Sequence, residues 1–230
     1  MSTFTGFPKG LLHFFAELEK NNSRSWFEKH RQVYENEVKK PMLAFVEAMQ
    51  ELLPQISPEY VADPRINGSV YRIYRDVRFS KNKMPYKTHT AAVFYHRYGK
   101  KHEYPGFYFQ ISHRGVMWGA GHFKIDPEQL AQIRRFLHRN PSMWKAIVQE
   151  KVFRETFGEV KGEKLKRPPK GFDPDHPVIE AIKLKQFLIM REEAAENYVE
   201  TMAILDKTLE MYQKASPFVE MLCISLQIPF

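Results

Sequence analysis

The chain has 230 residues, of which 43% are hydrophobic and 14% aromatic, and this composition excludes a disordered protein. No stretch approaches the ~20 apolar residues of a membrane helix, and a single cysteine, Cys223, excludes an intramolecular disulfide and a cysteine-based zinc cluster. The net charge of +8 is uneven, because residues 65–101 hold ten Lys and Arg against one acid, Asp76, which gives +9 and leaves the other residues at −1. A local excess of this kind favours a site or surface that attracts anions.

The first third of the chain is predicted to be helical. Apolar residues recur at helical spacing from Phe7 to Lys20, and a second helical pattern runs from Trp26 to Leu53. Pro41 is expected to end or kink this second helix, because proline lacks the N–H that the helix needs. The segment Met1 to Lys9 lacks the charged-then-apolar pattern of a secretion signal, so we expect a cytoplasmic protein.

The middle of the chain changes to period-two alternation, which is typical of strands that are covered on one face. The pair Arg114-Gly115 indicates a hairpin turn between two of these strands. Because the connections are short, an antiparallel sheet is favoured. The predicted strands run from Tyr71 to Phe79, Thr88 to Arg97, Gly106 to His113, Val116 to His122 and Lys185 to Met190.

Helical patterns return after the strands. Asp126 precedes Pro127, which places a capping side chain before a proline at the first helical position. A helical stripe runs from Tyr198 to Tyr212, and Ser216-Pro217 is expected to start a last helix. The order of helices, strands and helices, without a repeat or a composition break, predicts one α+β domain over residues 1–230. Its expected architecture is a mainly antiparallel central sheet of four to six strands with N- and C-terminal helices packed on it.

A sequence signature lies inside the basic segment. It runs Arg, two residues, Arg-Asp-x-Arg-Phe, then Ser-Lys and then Pro-Tyr-Lys, and its members here are Arg72, Arg75, Asp76, Arg78, Phe79, Ser80, Lys81, Pro85, Tyr86 and Lys87. In this pattern the chain resembles the uncharacterised bacterial and fungal family filed as domain of unknown function 2461. Further matches extend over most of the chain, and they are Tyr108, Gly119-Ala120-Gly121, Pro127, residues 167–172 and residues 175–177. The resemblance implies a shared α+β fold but no reaction, since the family has none assigned.

Two positions depart from the family pattern. Asn82 stands where an acid is usual, and Ala120 stands inside the glycine pair. If that acid were catalytic in other members of the family, this chain would lack it.

The charges of the signature predict an anion site. Guanidinium groups match phosphate or carboxylate oxygens two at a time, and a lysine adds a mobile point charge. These groups converge if the polar face of the first predicted strand meets the loop that follows it, and two tyrosines there could stack on a ligand or donate hydrogen bonds. The predicted ligand-binding residues are Arg72, Tyr74, Arg78, Lys81, Tyr86 and Lys87. The alternative is structural, with Arg75 and Asp76 in an internal ion-pair lattice that holds the loop.

No metal site, cofactor or catalytic residue is predicted. None of the nine histidines is spaced as His-x-His or His-Glu-x-x-His, although His113 and His122 could face each other across a hairpin. Asp175 and His176 could form an acid/base pair, but the pattern favours Asp175 as a helix cap. The Gly119-Ala120-Gly121 run lacks the spacing of a dinucleotide loop and indicates hairpin geometry or close packing.

Three functions stay open. The first is the binding of, with or without action on, a small phosphorylated or carboxylated ligand at the basic segment. The second is nucleic-acid binding, for which the expected exposed residues are the stacking tyrosines Tyr74, Tyr86, Tyr95 and Tyr98 together with Lys100 and Lys101. The third is a scaffold without chemistry. A closed cavity of ~300 Å³ or more would favour a small ligand, a flat basic face would favour nucleic acid, and buried, paired arginines would favour a scaffold. No oligomeric state is predicted.

Overall fold

The computed structural model describes residues 4–230 and has a five-stranded antiparallel sheet at its centre. Strands that are neighbours in the sequence are neighbours in the sheet, in the order β1-β2-β3-β4-β5. The strands are β1 (Tyr60–Val61), β2 (Thr90–His96), β3 (Gly106–Ser112), β4 (Gly115–His122) and β5 (Phe187–Glu193). The predicted α+β class with a mainly antiparallel sheet is confirmed. The first three residues, which belong to the predicted domain and to the segment without a signal pattern, lie outside the described residues.

Helices precede and follow the sheet. They are α1 (Lys9–Lys20), α2 (Arg24–Lys29), α3 (Arg31–Val33), α4 (Lys40–Leu52), α5 (Pro127–Arg139), α6 (Pro141–Val148), α7 (Lys151–Phe157), α8 (Ile179–Ile182) and α9 (Ala203–Ser225). A π-helical segment, Tyr34–Lys39, joins α3 to α4, and two 3₁₀ turns occupy Leu53–Gln55 and Ala195–Asn197. None of the helices within residues 4–230 is long and apolar enough to cross a membrane.

The two faces of the sheet carry side chains of different size. Successive residues of a strand point to opposite faces, and along β3 Phe107, Phe109 and Ile111 are fully buried while Tyr108 is only half-buried. The register places Phe109 beside Trp118 of β4, so the large buried side chains share one face. That face is the core face. The opposite face forms the floor of a cavity.

Aromatic rings join the helices to the core face. The Phe109 ring is stacked on Phe7 with centroids 5.8 Å apart and is 4.3 Å from Phe45 of α4. Tyr212 of α9 contacts Phe107 with a centroid distance of 4.8 Å. Each fully buried Phe contributes about 1.5–3 kcal/mol to the free energy of unfolding. The buried side chains form one continuous cluster from the N-terminal helices to α9.

The prediction of a strand from Tyr71 to Phe79 is wrong. This segment forms no regular strand: it has an isolated bridge, Tyr74 with Tyr86, and backbone hydrogen bonds from Tyr71 N to Ala91 O, from Arg75 N to Pro85 O and from Lys87 N to Ile73 O. Pro85 accepts from Arg75 but has no N–H to donate in return, which prevents a regular ladder. We call residues 71–75 with 85–87 the ribbon, and residues 76–84, which connect its two sides, the tip.

The prediction of a separate last helix from Ser216-Pro217 is also wrong. One helix, α9, runs through Pro217. Proline cannot donate to the carbonyl four residues back, which is Gln213 O, but the Ser216 hydroxyl donates to that oxygen at 2.6 Å. The serine therefore satisfies the acceptor that the proline leaves free, and the helix continues.

Candidate functional site

A cavity of about 440 Å³ lies over the face of the sheet that is opposite the core face. Its volume falls within the range of sites for small molecules. Its floor comes from β2, β3, β4 and β5, and its wall comes from the ribbon and from the connection between β2 and β3. The lining side chains with aromatic or polar groups are Tyr71, Lys87, His89, Tyr95, His102, Tyr104, Tyr108 and Phe123.

Two glycines of β4 make room for the cavity. Gly119 lies beside Tyr108 of β3, and a Cβ atom there would meet the Tyr108 Cβ at 3.5 Å, an ordinary contact. Gly121 has φ of +123°, and a Cβ atom there would lie 1.9 Å from the Phe187 carbonyl oxygen. Gly119 thus leaves space above the floor, whereas Gly121 allows β5 to approach β4. The Gly119-Ala120-Gly121 run therefore serves close packing, one of the two roles expected for it.

Tyr71 and His102 form a hydrogen-bonded pair in the wall. The Tyr71 hydroxyl lies 2.5 Å from His102 Nε2, and the two rings are stacked with centroids 5.9 Å apart. Burial lowers the pKa of His102, and the charges of Lys101 and Lys124 lower it further. Burial also raises the pKa of Tyr71. At neutral pH a neutral His102 therefore accepts the proton of the Tyr71 hydroxyl in this hydrogen bond.

Two lysines lie against the same Tyr71 ring. Lys87 Nζ is 4.9 Å and Lys101 Nζ is 4.6 Å from the ring centroid. Both side chains are half-buried, and Lys87 Nζ also donates to the Arg72 carbonyl oxygen at 3.0 Å. Ammonium groups are attracted to the electron-rich face of an aromatic ring, so Tyr71 holds both lysine side chains at the wall.

The surroundings of the two lysines disfavour their charged form. Burial lowers the pKa of Lys87, and the charge of Arg72 adds to this effect. Burial lowers the pKa of Lys101 to about 8; Asp63 opposes this change and Lys87 adds to it. None of the described residues that line the cavity is Asp or Glu. Lys87 therefore lies in a lining without a carboxylate, whereas Lys101, which lines an adjoining hollow, has Asp63 as the acid in its surroundings.

His89 adds a further basic group to the lining. Burial lowers its pKa to about 4, with a contribution from the charge of Lys87. The imidazole is therefore neutral at physiological pH and acts as a hydrogen-bonding group there. Among the described residues that line the cavity, Lys87 supplies the positive charge at that pH.

Of the six ligand-binding residues predicted from the sequence, Lys87 lines the cavity. Arg72 lies beside it and supplies the carbonyl that accepts from Lys87. Arg78 and Lys81 are exposed on the tip, and Tyr74 is 44% exposed on the ribbon. Tyr86 was expected to be exposed, but it is buried and its ring is stacked on Phe27 at 4.2 Å.

Asn22 fixes the ribbon at Tyr86. Its side chain donates to the Tyr86 carbonyl at 3.0 Å and accepts from the Tyr86 amide at 3.1 Å. Tyr86 thus anchors the ribbon to the helical layer, and its neighbour Lys87 is directed to the cavity.

The structural alternative, in which Arg75 and Asp76 belong to an internal ion-pair lattice, is not what the structure shows. Asp76 pairs with Arg78 in an exposed bidentate contact, with an N–O distance of 2.7 Å. Arg75 instead donates to the Met84 carbonyl oxygen at 3.2 Å. The tip is therefore held by local contacts, and Phe79 at its end is 96% exposed.

Other expectations from the sequence are corrected by the structure. His113 and His122 lie at opposite ends of the β3–β4 hairpin, and each has its own partner, Glu19 for His113 and Gln129 for His122. Asp175 does not cap α8, which is preceded by Val178. Lys101, expected to be exposed, is half-buried, whereas its neighbour Lys100 is exposed.

The sequence did not single out Tyr71, His89, Lys101 or His102 as members of one site. Tyr71 was assigned to the apolar face of a strand that does not form. His102 has φ of +69° in an irregular connection, for which no local pattern gives a position. The basic excess in residues 65–101 was the one signal that pointed to this region.

A second hollow, of about 650 Å³, adjoins the cavity. It is lined by Asp63, Arg65, Ile66, Asn67, Gly68, Tyr95, Gly99, Lys100 and Lys101. Tyr95 lines both spaces. Arg65 is held by Asp63 in a bidentate ion pair with an N–O distance of 2.7 Å. Lys101 therefore lines this hollow, and its Nζ reaches the Tyr71 ring, which lines the cavity, at the border between the two spaces.

The family model described as conserved hypothetical protein (DUF2461) matches residues 10–221, and the chain belongs to this family. The match contains the ribbon, the tip and the cavity floor, and it confirms the resemblance seen in the signature. A search of curated proteins and a search of solved structures each found no match. The family description states no reaction, so a function has to be argued from the site.

Proposed function

We propose that this member of the DUF2461 family binds a small molecule that has an apolar body and an anionic group, in the cavity over its sheet. The observation that carries the proposal is the pair of half-buried lysines, Lys87 and Lys101, on the Tyr71 ring of a cavity of about 440 Å³. A cytoplasmic location is part of the proposal, because the single cysteine is a buried free thiol.

The floor favours an apolar body. It presents Ala91 and Val93 of β2, the bare backbone of Gly119, and Leu188 and Met190 of β5. Such a surface gains about 25 cal/mol for each Å² of apolar area that it removes from water. It offers few hydrogen bonds to a strongly polar ligand, so a sugar or a free inorganic ion would leave most of the floor unused.

The wall favours an anionic group. An ammonium that is partly desolvated and has no acidic partner gains more from a carboxylate or phosphate than an exposed one does. A bound anion would raise the lowered pKa of Lys101, which is about 8 in the free protein. Binding at about that pH should therefore take up a fraction of a proton, since the linked equilibrium favours the charged lysine.

Calorimetric titration with phenylpropanoate, an aromatic carboxylate, tests the proposal. Replacing Lys87 by Gln removes the cation and is expected to weaken binding by about ten- to a hundred-fold, the effect of losing a charged hydrogen bond. Gly119→Leu is expected to abolish binding, because its side chain occupies the floor without a forbidden backbone conformation. Lys170→Gln, an equal charge change at an exposed loop position, is the matched control.

The site is supported if phenylpropanoate binds saturably to the unaltered protein. Its affinity should be lower in both cavity variants and unchanged in Lys170→Gln. The proposal fails if Gly119→Leu binds as well as the unaltered protein, because the ligand would then lie elsewhere. Failure of a homologous set of aryl and alkyl carboxylates and phosphates to bind at all would also end it.

The tip supports a second candidate, nucleic-acid binding. Phe79 is 96% exposed, and Arg78 lies over its ring at 5.9 Å. Lys81 and Lys83 are exposed next to them. An exposed aromatic ring among cations suits single-stranded nucleic acid, in which bases stack on the ring and phosphates contact the cations. For the scaffold alternative, the exposure of Arg72 and Arg78 offers no support.

A further inference from the structure

We propose that Lys101 acts as a nucleophile and forms an imine with the carbonyl carbon of its ligand, so that the cavity takes α-oxo acids with an apolar substituent. This inference rests on the proposed function and names the reaction and the substrate class of the same site. It follows from three features around the Tyr71 ring at the border of the cavity: Lys101, which has no carboxylate at ion-pair distance among the described residues, a second lysine on the same ring, and a hydrogen-bonded Tyr–His pair.

Lys101 has the surroundings that an amine nucleophile needs. Its Nζ lies against the Tyr71 ring, and within residues 4–230 no carboxylate lies within ion-pair distance of it. An amine attacks a carbonyl only as the neutral base, and burial beside another cation favours that form. Asp63 is the acid that acts on Lys101 from outside the cavity, while Lys87 acts in the opposite direction, and the pKa remains lowered to about 8.

Lys87 is suited to a different role. Its Nζ is already fixed by the Arg72 carbonyl, which stabilises the ammonium in its position. In an α-oxo acid the carbonyl carbon is bonded directly to the carboxylate. A carboxylate held by Lys87 would therefore bring the carbonyl next to the Tyr71 ring, where Lys101 lies, and the apolar substituent would extend over Gly119.

The Tyr71–His102 pair can move the protons of the reaction. The Lys101 nitrogen forms a bond to the carbonyl carbon, and the carbonyl oxygen takes a proton to become a hydroxyl. The nitrogen gives up one of its two protons at this stage and the other as the hydroxyl takes a second proton and leaves as water, so that a C=N bond remains. The Tyr71 hydroxyl, 2.5 Å from His102 Nε2, can donate to the oxygen while the imidazole accepts from the nitrogen in exchange. Amine and oxo acid thus give imine and water, with no oxidant or reductant.

Reductive trapping tests the inference directly. The full chain is incubated with phenylpyruvate and sodium cyanoborohydride, which reduces an imine to a stable secondary amine, and the modified lysines are mapped by mass spectrometry. We expect Lys101 to be modified at least about ten-fold faster than its exposed neighbour Lys100, with half-maximal rate near the lowered pKa of about 8. Phenylpropanoate, which has the same shape without the carbonyl, should protect Lys101.

Two variants test the imine separately from the proposed function. Lys101→Arg cannot form an imine, so it should lose the adduct; because Lys101 also belongs to the proposed anion site, phenylpropanoate binding is judged in the unaltered protein. Lys100→Arg is the matched control and should retain the adduct. Equal modification of Lys101 and Lys100 in the unaltered protein, with phenylpropanoate still bound, would overturn the imine and leave the anion site standing. Absence of phenylpropanoate binding would instead remove the site itself.

Discussion

At the scale of single residues, the Tyr71 ring makes the cavity wall unusual because two ammonium groups share it. Each cation–π contact is favourable by about 0.5–2 kcal/mol. Burial nevertheless lowers the pKa of both lysines, and a neighbouring cation adds to this effect at each, Arg72 at Lys87 and Lys87 at Lys101. Such an arrangement costs folding free energy and is typical of functional sites, where stability is lost in exchange for reactivity.

Replacing Lys101 by Met is therefore expected to stabilise the protein. An amine whose pKa falls on folding binds its proton more weakly in the folded state, so the cost is complete below about pH 8 and disappears as pH rises toward the unfolded value of 10.5. The expected gain at about pH 7 is roughly 1 kcal/mol, which is less than the full shift because the half-exposed amine is screened by solvent. Urea denaturation at about pH 7 and pH 10 measures it.

Lys100→Met is the control for this prediction, because Lys100 is the exposed neighbour of Lys101. It should change the free energy of unfolding by less than about 0.5 kcal/mol at either pH. A Lys101→Met variant that is less stable at neutral pH, or whose gain does not shrink at high pH, would contradict the argument.

At the scale of elements, the cavity depends on how closely β4 and β5 approach at Gly121. The strand pair aligns Gly121 with Leu188, and the Phe187 carbonyl lies where a Cβ atom of residue 121 would be. Gly119 is two residues away, on the same face of the same strand, and lacks this constraint. Substitutions at these two glycines can therefore be compared directly, because the approach of β5 constrains residue 121 and does not constrain residue 119.

Gly121→Ala is expected to destabilise the protein by at least about 2 kcal/mol, since its backbone has positive φ and its Cβ would collide with a backbone oxygen. Gly119→Ala should change the free energy of unfolding by no more than about 1 kcal/mol, because its Cβ makes an ordinary contact with Tyr108. Urea denaturation measures the free energy of unfolding of both variants. Similar losses at the two positions would show that the β4–β5 approach is not what requires Gly121.

The regular elements could be predicted from local pattern, because period-two alternation along β2, β3 and β4 follows directly from covering one face of a sheet. The ribbon shares that alternation, yet Pro85 removes the donor that a ladder needs. The helix at Pro217 continues because of a single serine hydroxyl. Both errors therefore came from hydrogen bonds of individual residues, which hydrophobic pattern does not reveal.

The site was less predictable because its groups meet across the fold. Lys87 was selected for its charge, but its partner on the Tyr71 ring, Lys101, follows β2 and was expected to be solvated. The contact of Tyr71 with His102 spans 31 residues and depends on an irregular loop. Clusters of charge can be counted in a sequence, whereas their burial and pairing depend on tertiary structure.

At the scale of the whole molecule, half of the basic residues of the segment 65–101 lie at two surfaces. Lys87 lines the cavity with Lys101 beside it on the Tyr71 ring, whereas Arg78, Lys81 and Lys83 belong to the tip. Both surfaces lie within the segment that holds +9, and the remainder of the chain is close to neutral. The field of such a segment attracts small anions and nucleic acid alike. The two candidate functions are therefore distinguished by whether binding depends on the lysines at the Tyr71 ring or on the cations of the tip.

If the tip binds single-stranded nucleic acid, affinity must fall steeply with salt, because each neutralised phosphate releases condensed counterions. About four phosphate contacts give a log–log slope of roughly −3, or about fifty-fold weaker binding at 200 than at 50 mM salt. The double change Lys81→Glu with Lys83→Glu should abolish most of this dependence, and Phe79→Ala should remove about 1–3 kcal/mol of stacking.

Lys151→Glu with Lys170→Glu makes the same change in net charge at exposed positions away from the tip and should have a small effect. Fluorescence anisotropy with labelled oligonucleotides measures all four proteins. Absent binding at low salt, or equal losses in the two charge-reversed variants, would exclude the tip as a nucleic-acid surface and leave the cavity as the remaining candidate.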